Sequence, residues 1–428
     1  MFGSGGIRMR QVVVLLMIAG LGKGLSVISI PLFALVLSAS EMGAATVFIS
    51  TMLVIAGSIG FGANTLVMRE WAHLQAADYA RFLTHVATFV TLLWIVIGGC
   101  LQFMLPRFLS QFGFPPIASW LVLVGALFAA MVELVQKASL AREEIRVFGV
   151  VEITRSVLLL AVAFSLIAAG VEPLAGRTVG YVIALMITAA VALRHFGASL
   201  PPRSEWSGAT FRRIVSFSSR SAPQVVAHWI RLGFDRIVLA YVIGVTELGV
   251  YTVAFALSSG MLVVTTALNN HFAPRSLARY KAGNIAGVRR LRRWLLVAGL
   301  AAALLTCLVG VLIYRHLTGA EYGDGIVYLP ILLVSHWLHF VYLMHAKYFV
   351  HADRVGRLGL INLVSVGVYV VLLVTLSAHV VAGAAWAHAV GSLCLSVPVY
   401  IACRRGESRI RRYAIVESTD SSRHSSMM

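Results

Sequence analysis

The chain has 428 residues, of which 59% are hydrophobic and only 12% charged. Soluble proteins carry about a quarter of their residues charged, and no water-soluble core could hide this much apolar surface, so a soluble enzyme or binding domain is excluded and a polytopic membrane protein is implied. The formal net charge of +18 would point to nucleic acid in a soluble chain, but the placement of the charges, taken up below, excludes that partner as well.

A membrane-spanning helix needs about 20 mostly apolar residues. The first such segment, 11–38, is longer than the ~7–15-residue core of a signal peptide and reads as a retained span; it carries Lys23 at its middle and Pro31 near its end. Spans follow at 42–67, 82–105, 117–138, 148–170 and 175–194, the last two joined by the turn Gly170-Val-Glu-Pro173. A second set lies at 211–243, 247–271, 291–314, 325–349, 356–378 and 380–403. The predicted fold is therefore all-α, with twelve transmembrane helices in two six-helix lobes, 1–200 and 201–403, and a basic, polar tail, 404–428, expected to be disordered.

Lys and Arg in the connecting segments set the orientation. With the N-terminus inside, the inner segments hold 27 of the 35 Lys and Arg, and the outer loops hold only Arg107, Arg177 and Arg315. Both termini are thus expected on the cytoplasmic side. The excess charge meets anionic lipid of the inner leaflet, at about 1 kcal/mol per residue near the surface. The run Arg289-Arg-Leu-Arg-Arg293 is read as an orientation and lipid-contact device, so no nucleic acid is needed.

The seventh span departs from the apolar pattern. Placed on a wheel at roughly 100° per residue, Arg220, Gln224, His228, Arg231 and Asp235 share one arc of about 80°, with Arg236 apart from them. Charges at the bilayer centre cost about 2.5–3.5 kcal/mol each on insertion scales and persist where they meet a wet cavity or a partner. This helix is read as lining a cavity, although Arg231 and Asp235, at i,i+4, could also simply neutralise each other. Arg220, close to the cytoplasmic end, could snorkel. Lys23 occupies the equivalent first span of the other lobe, and both spans contain a proline, Pro31 and Pro223, which removes a backbone hydrogen bond and bends a helix. Lys23, Arg231 and Arg236 together suit an anion, and arginine's planar fork matches a diphosphate.

The remaining intramembrane polar residues give weaker signals. Glu152 and Arg155, at i,i+3, read as a structural pair; Glu133 could carry a proton or meet Lys137 one turn on. His336, His339, His345 and His388 lack the spacing of a known metal site and read as cavity lining, with Trp337 and Tyr342 nearby available to stack on sugars or to pack. Cys100, Cys307, Cys394 and Cys403 lack zinc spacing and read as small buried apolar residues. No metal, cofactor or catalytic residue is expected, and the absence of a GxxxxGK[ST] loop argues against direct ATP use.

The chain is a duplication. Ser40-Glu-Met-Gly-Ala-Ala-Thr-Val-Phe48, after the first span, aligns with Thr246-Glu-Leu-Gly-Val-Tyr-Thr-Val-Ala254, after the seventh, at an offset of 206 that also pairs Asn64 with Asn270, Arg69 with Arg275 and Ala72 with Ala278. Six spans return the chain to its starting side, so the repeats are parallel, related by an axis along the membrane normal with a cavity between them.

On these features the chain resembles the O-antigen and exopolysaccharide flippases, the polysaccharide-transport branch of the multidrug/oligosaccharidyl-lipid/polysaccharide (MOP) exporter superfamily. The resemblance rests on the duplicated twelve-span layout, on Glu-Met-Gly and Glu-Leu-Gly-Val-Tyr after spans one and seven, on Phe234-Asp-Arg236, and on Gly319-Ala-Glu-Tyr322 before span ten. It implies a bacterial inner-membrane protein that moves an undecaprenyl-diphosphate-linked oligosaccharide to the outer leaflet, in contact with other polysaccharide-assembly proteins. Two alternatives are weighed. A cation-coupled multidrug exporter of the same superfamily needs acids in its cavity, but the first span offers a lysine and no carboxylate. An enzyme of polyprenyl-linked glycan assembly needs a large outer loop or paired outer acids, for which Glu321 and Asp324 are thin support. The topology predicts that, in a cysteine-free background, Gly283→Cys is protected from an impermeant external thiol reagent while Ala320→Cys is labelled; the reverse pattern would overturn the orientation.

Overall fold

The computed structural model describes residues 22, 24, 25, 27–60, 62–71, 74–196, 207–229, 233, 235–352, 354–379 and 382–425. In chain order the helices are α1 (Ala39–Gly60), α2 (Ala63–Glu70), α3 (Ala76–Leu101), α4 (Leu105–Ser110), α5 (Ala118–Ala141), α6 (Ile145–Ala168), α7 (Pro173–Phe196), α8 (Gly208–Trp229), α9 (Asp235–Val242), α10 (Val245–Lys281) and α11 (Ile285–Leu317). A 3₁₀ helix (Ala320–Val327) then leads into α12 (Tyr328–His351), α13 (Val355–His379) and α14 (Gly383–Ser425). No strand occurs among the described residues, as a bilayer requires: a helix satisfies its own backbone polar groups without water.

Among the described residues ten helices are long and apolar enough to cross a membrane. The other two predicted spans are the cationic ones. Residues 11–21, 23 and 26 of the 11–38 span lie outside the described residues, and 211–243 is formed by α8 and α9, with 230–232 and 234 between them also outside. α8 is polar, with Arg212, Arg213 and Arg220, and α9 has only eight residues, so neither piece qualifies by itself among the described residues.

Two compact units result: Met1–Val253 with Leu317–Gly323, and Ala254–His316 with Asp324–Met428. The division falls inside the continuous α10, whereas the repeat boundary read from the sequence lies near residue 200. Packing and duplication partition the chain differently.

The first unit is organised on α1. Phe48, Met52, Ile55 and Ile59, spaced three and four apart on one helical face, are buried in a core shared with Val122, Leu123 and Ala126 of α5. Trp94 of α3 donates its indole N–H to the Leu123 carbonyl at 2.8 Å. Gly180 of α7 lies against the Ala163 backbone of α6, where a Cβ would stand 2.7 Å from Ala163 Cα. These two helices are joined by a tight turn: Gly170 has φ +88, Val171 N–H donates to the Leu166 carbonyl at 3.0 Å, and Pro173 opens the next helix. Glycine takes the left-handed position at no steric cost, and proline sits where no N–H is needed. The start of α8 is fastened by Arg213, which donates to the fully buried Glu70 carboxylate at 2.8 Å.

The same unit contains the contact that reports the duplication. A Cβ on Gly43 would run into the Val245 carbonyl, and a Cβ on Gly249 into the Ala39 carbonyl; each would stand 3.1 Å from the other glycine's backbone N. Ala39 and Val245, like Gly43 and Gly249, are separated by the repeat offset of 206. The contact is therefore reciprocal: α1 and α10 cross backbone to backbone at equivalent glycines. The N-terminus of α1 beside it is closed by its own capping residues and by the 317–323 segment. Ser38 N–H donates to Glu41 Oε2 at 2.8 Å, Ala39 N–H donates to Glu321 Oε2 at 3.0 Å, and Tyr322 O–H donates to the Leu37 carbonyl at 2.8 Å.

In the second unit α12, α13 and α14 pack through small and hydroxylated residues, the usual interface in lipid. Ser335 contacts His388 Nδ1 at 2.5 Å and Ser392 at 2.9 Å, and Ser365 donates to the Gly391 carbonyl at 2.9 Å. The outer faces of α11 remain apolar and exposed, as at Trp294, Leu304 and Leu305, and meet lipid. The tail expected to be disordered from residue 404 begins as ordered helix. Its reason is Glu407, a buried carboxylate that accepts from Arg292 at 3.0 Å, Arg289 at 2.9 Å and Tyr280 O–H at 2.8 Å. Burial, then Cys403 and Glu407, push the Tyr280 hydroxyl well above its ordinary range, so it remains a donor. Cys403 lies in this knot, but Cys100 is exposed and Cys307 and Cys394 are half-buried, contrary to the uniform burial expected; cysteine is apolar enough to face lipid.

Overpacking a tight site costs about 1–3 kcal/mol. Gly43→Ala and Gly249→Ala should each lower the apparent Tm of the purified protein by a similar amount, whereas Gly99→Ala, where a Cβ meets nothing within 4 Å, should not. Unequal losses at the two glycines would show that the crossing is not reciprocal.

Candidate cavity in the first unit

One turn beyond Gly43 and Gly249, the equivalent residues Thr46 and Thr252 face a cavity of about 360 Å³. Ser29 and Phe33 of the first span, Ser50 of α1, Tyr181 and Arg177 of α7 and Arg236 of α9 also line it. The Thr46 hydroxyl is satisfied by the Met42 carbonyl at 2.7 Å. The Thr252 hydroxyl is buried with no hydrogen-bond partner among the described residues. A buried hydroxyl left without a partner costs about 1–3 kcal/mol, so a group entering the cavity, or water, gains by meeting it.

Two guanidinium groups define the chemistry. Arg177 is 3% exposed; its Nη1 lies against Met42 Sδ, and its Cζ stands 4.8 Å from the Phe33 ring centroid. Phe33 in turn stacks on Phe164 at 4.8 Å. Among the described residues no carboxylate forms an ion pair with Arg177. Cation–π contact and sulfur offset part of the burial cost, but a desolvated guanidinium without a counter-charge is poised for an anion. Arg236 is half-buried, with Nη1 3.8 Å from Asp235 Oδ1, and its backbone N–H donates to the same carboxylate oxygen at 2.9 Å. Asp235, 1% exposed, thus caps the start of α9 and moderates Arg236. The described lining residues include two cations and no carboxylate.

The residues singled out from the sequence fall into three groups. Arg236 lines the cavity, and Asp235 stands behind it as its ion-pair partner rather than in the lining. Lys23 and Arg231 lie outside the described residues, and so do the side chains of Arg220, Gln224 and His228, whose backbone belongs to α8. Glu152 and Arg155 pair at 2.8 Å, and Gln136 donates to Glu152 at 2.7 Å; the first span approaches so closely that a Cβ on Gly22 would stand 2.6 Å from Glu152 Cγ. This carboxylate is therefore committed to packing. Glu133 and Lys137 are half-buried on α5 and form no ion pair with each other.

The histidines sit in helix packing. His336 meets Ser258 at 3.1 Å and packs edge-on to His388 at 5.7 Å, with Phe255 5.6 Å from each ring. His345 Nδ1 bonds the Val341 carbonyl at 2.7 Å, and His339 packs on Tyr342 at 5.5 Å. No group of three metal-ligating side chains occurs among the described residues.

Arg177 is the residue the sequence reading misses: it is grouped with the outer-loop cations although it falls at the start of the predicted 175–194 span. The available signal was Pro173: a proline marks the first helical turn, which places a residue four positions later inside the helix.

A sequence profile described as polysaccharide biosynthesis protein matches residues 32–284, while no curated protein matches. Among solved structures, the chain is similar to the inward-facing conformation of a multidrug resistance MATE family transporter of the MOP superfamily, at a TM-score of 0.70 and 13% identity over 94% of this chain and 99% of that one. The outward-facing conformation of a MATE family transporter gives 0.64 and 13%, over 94% and 96%. A MOP superfamily transporter from Pyrococcus furiosus, described as having a binding pocket of reverse polarity that suggests a different function, gives 0.62 and 14%, over 94% and 96%. Identities this low speak for the fold alone, but the profile spans more than half of the sequence: the chain belongs to the polysaccharide biosynthesis protein family and has the fold of MOP superfamily transporters.

Proposed function

We propose that this membrane transporter moves a lipid-linked oligosaccharide, joined to its undecaprenyl carrier through a diphosphate, from the cytoplasmic to the outer leaflet of the bacterial inner membrane, with both termini cytoplasmic. The observation that carries the reading is the cavity in which Arg177 and Arg236 face the buried, unsatisfied hydroxyl of Thr252. Guanidinium groups bind phosphate oxygens in a forked geometry that a point charge cannot copy, and hydroxyls and aromatic rings accommodate sugars. From their places in the sequence, Lys23 and Arg231 add cationic character in this reading, with Arg220, Gln224 and His228 on the same predicted arc and Asp235 holding Arg236.

Energetically, an anionic head leaving a negative interior moves downhill, by about 2.3 kcal/mol per charge per 100 mV. The membrane potential therefore favours export of the head group, with proton or sodium antiport as the alternative drives. Export of cationic drugs, the competing use of this fold, is disfavoured because the described cavity lining offers guanidinium groups where such a cargo needs carboxylates.

Arg177→Ala, Arg236→Ala and Arg231→Ala should each lower glycan export at least about tenfold, since a hydrogen bond to a charged group contributes about 1.5–3 kcal/mol. The corresponding Lys variants should recover only part of the activity. Complementation of a flippase-deficient strain, read beside the amount of protein in the membrane, is the measurement. Normal export by Arg177→Ala and Arg236→Ala at wild-type abundance would remove the cavity from the mechanism.

A further inference from the structure

The second unit holds a larger cavity, about 590 Å³, at the end where α12, α13 and α14 come together. Three arginines line it: Arg354 before α13, Arg357 in its first turn and Arg405 on α14. All three are exposed, and no described carboxylate pairs with them. The carboxylate adjacent to Arg405, Glu407, is fully engaged elsewhere, by Arg289 at 2.9 Å, Arg292 at 3.0 Å and Tyr280 at 2.8 Å. The Glu407 knot therefore fixes α14 without neutralising the cavity.

The remaining walls are apolar. Ile361, Pro398 and Ile401 run from the arginines along α13 and α14, with Phe349 behind them. The hydroxyl end of Tyr348 abuts Gly406, where it takes the place a Cβ would occupy. Apart from that phenol and the guanidinium groups the lining contains no polar side chain, so it offers no acceptor beyond the phenol to the many hydroxyls of a glycan. It does offer concentrated positive charge at one end and hydrocarbon at the other.

We propose that this cavity is a binding site for an anionic glycerophospholipid carrying two phosphates, distinct from the cavity in the first unit. The phosphates sit among Arg354, Arg357 and Arg405, and one acyl chain lies along Ile361, Pro398 and Ile401. Basic pockets between spanning helices recognise such head groups by charge, and the chain adds apolar contact. The proposal is independent of the transported cargo and rests only on the chain being embedded in a membrane.

The test uses the full-length protein in detergent micelles, with cardiolipin, phosphatidylcholine or inorganic pyrophosphate added, read by native mass spectrometry and by the shift in Tm. Cardiolipin should bind and raise Tm, and phosphatidylcholine should do neither. R354Q/R357Q/R405Q should weaken cardiolipin binding at least about tenfold, and R354Q and R405Q alone should each weaken it in part if the triple variant fails to fold. R290Q/R293Q, which removes arginines of the basic run outside the cavity, should leave binding within about twofold. Wild-type affinity in the triple variant, or equal losses in the two sets, would reduce the effect to general surface attraction and overturn the site. Pyrophosphate binding as tightly as cardiolipin would overturn the role of the acyl chain.

Discussion

The backbone contact between Gly43 and Gly249 is the constraint on which the first unit is arranged. Two helices from equivalent places in the duplicated sequence approach so closely that each would have its Cβ inside the other's carbonyl. In lipid there is no hydrophobic force to press helices together, so close approach through small residues is what makes such crossings stable. Everything just beyond the crossing follows from it. Thr46 and Thr252 are brought to one cavity because each is a turn along from its glycine, and the first span and α7 fill the sides with Phe33, Tyr181 and Arg177.

The symmetry of the scaffold is not carried into its chemistry. Thr46 is satisfied by its own helix, while Thr252 is not. Arg177 and Arg236 come from α7 and α9, places the repeat does not pair. A duplicated frame thus holds an asymmetric site. Asp235 and Glu152 show the contrasting use of buried carboxylates: Asp235 holds Arg236 and its backbone N–H, and Glu152 holds Arg155 and Gln136, so both are committed to fixing their neighbours.

The all-helical fold, ten of the spans and the equivalence of Gly43 and Gly249 were legible in the sequence because a bilayer imposes a strong signal: about 20 apolar residues per span, and a repeat offset that persists from Glu41 to Ala278. The cationic character of span seven was legible for the same reason, since charge is rare in such a helix. What escaped was set by packing. Arg177, at the edge of the 175–194 span, reads as an outer-face cation until packing against Phe33 and Met42 shows it buried. The ordered start of the tail depends on Glu407 meeting Arg292, more than a hundred residues earlier, which no local pattern encodes. The histidines of α12 carry the composition of a site but find serines and aromatic rings of neighbouring helices instead.

The 317–323 segment has a consequence for how the protein is made. The N-terminus of α1 is completed by Glu321 and Tyr322, 282 and 285 residues away from the groups they bind. Translation at ~5–20 residues per second leaves roughly 15–60 seconds between synthesis of the helix and arrival of its cap. During that interval the first unit is in the membrane but unfinished, with the amide of Ala39 unsealed at the water boundary. Assembly of this half of the molecule is therefore paced by the insertion of α11, the helix that delivers the cap, rather than by its own spans.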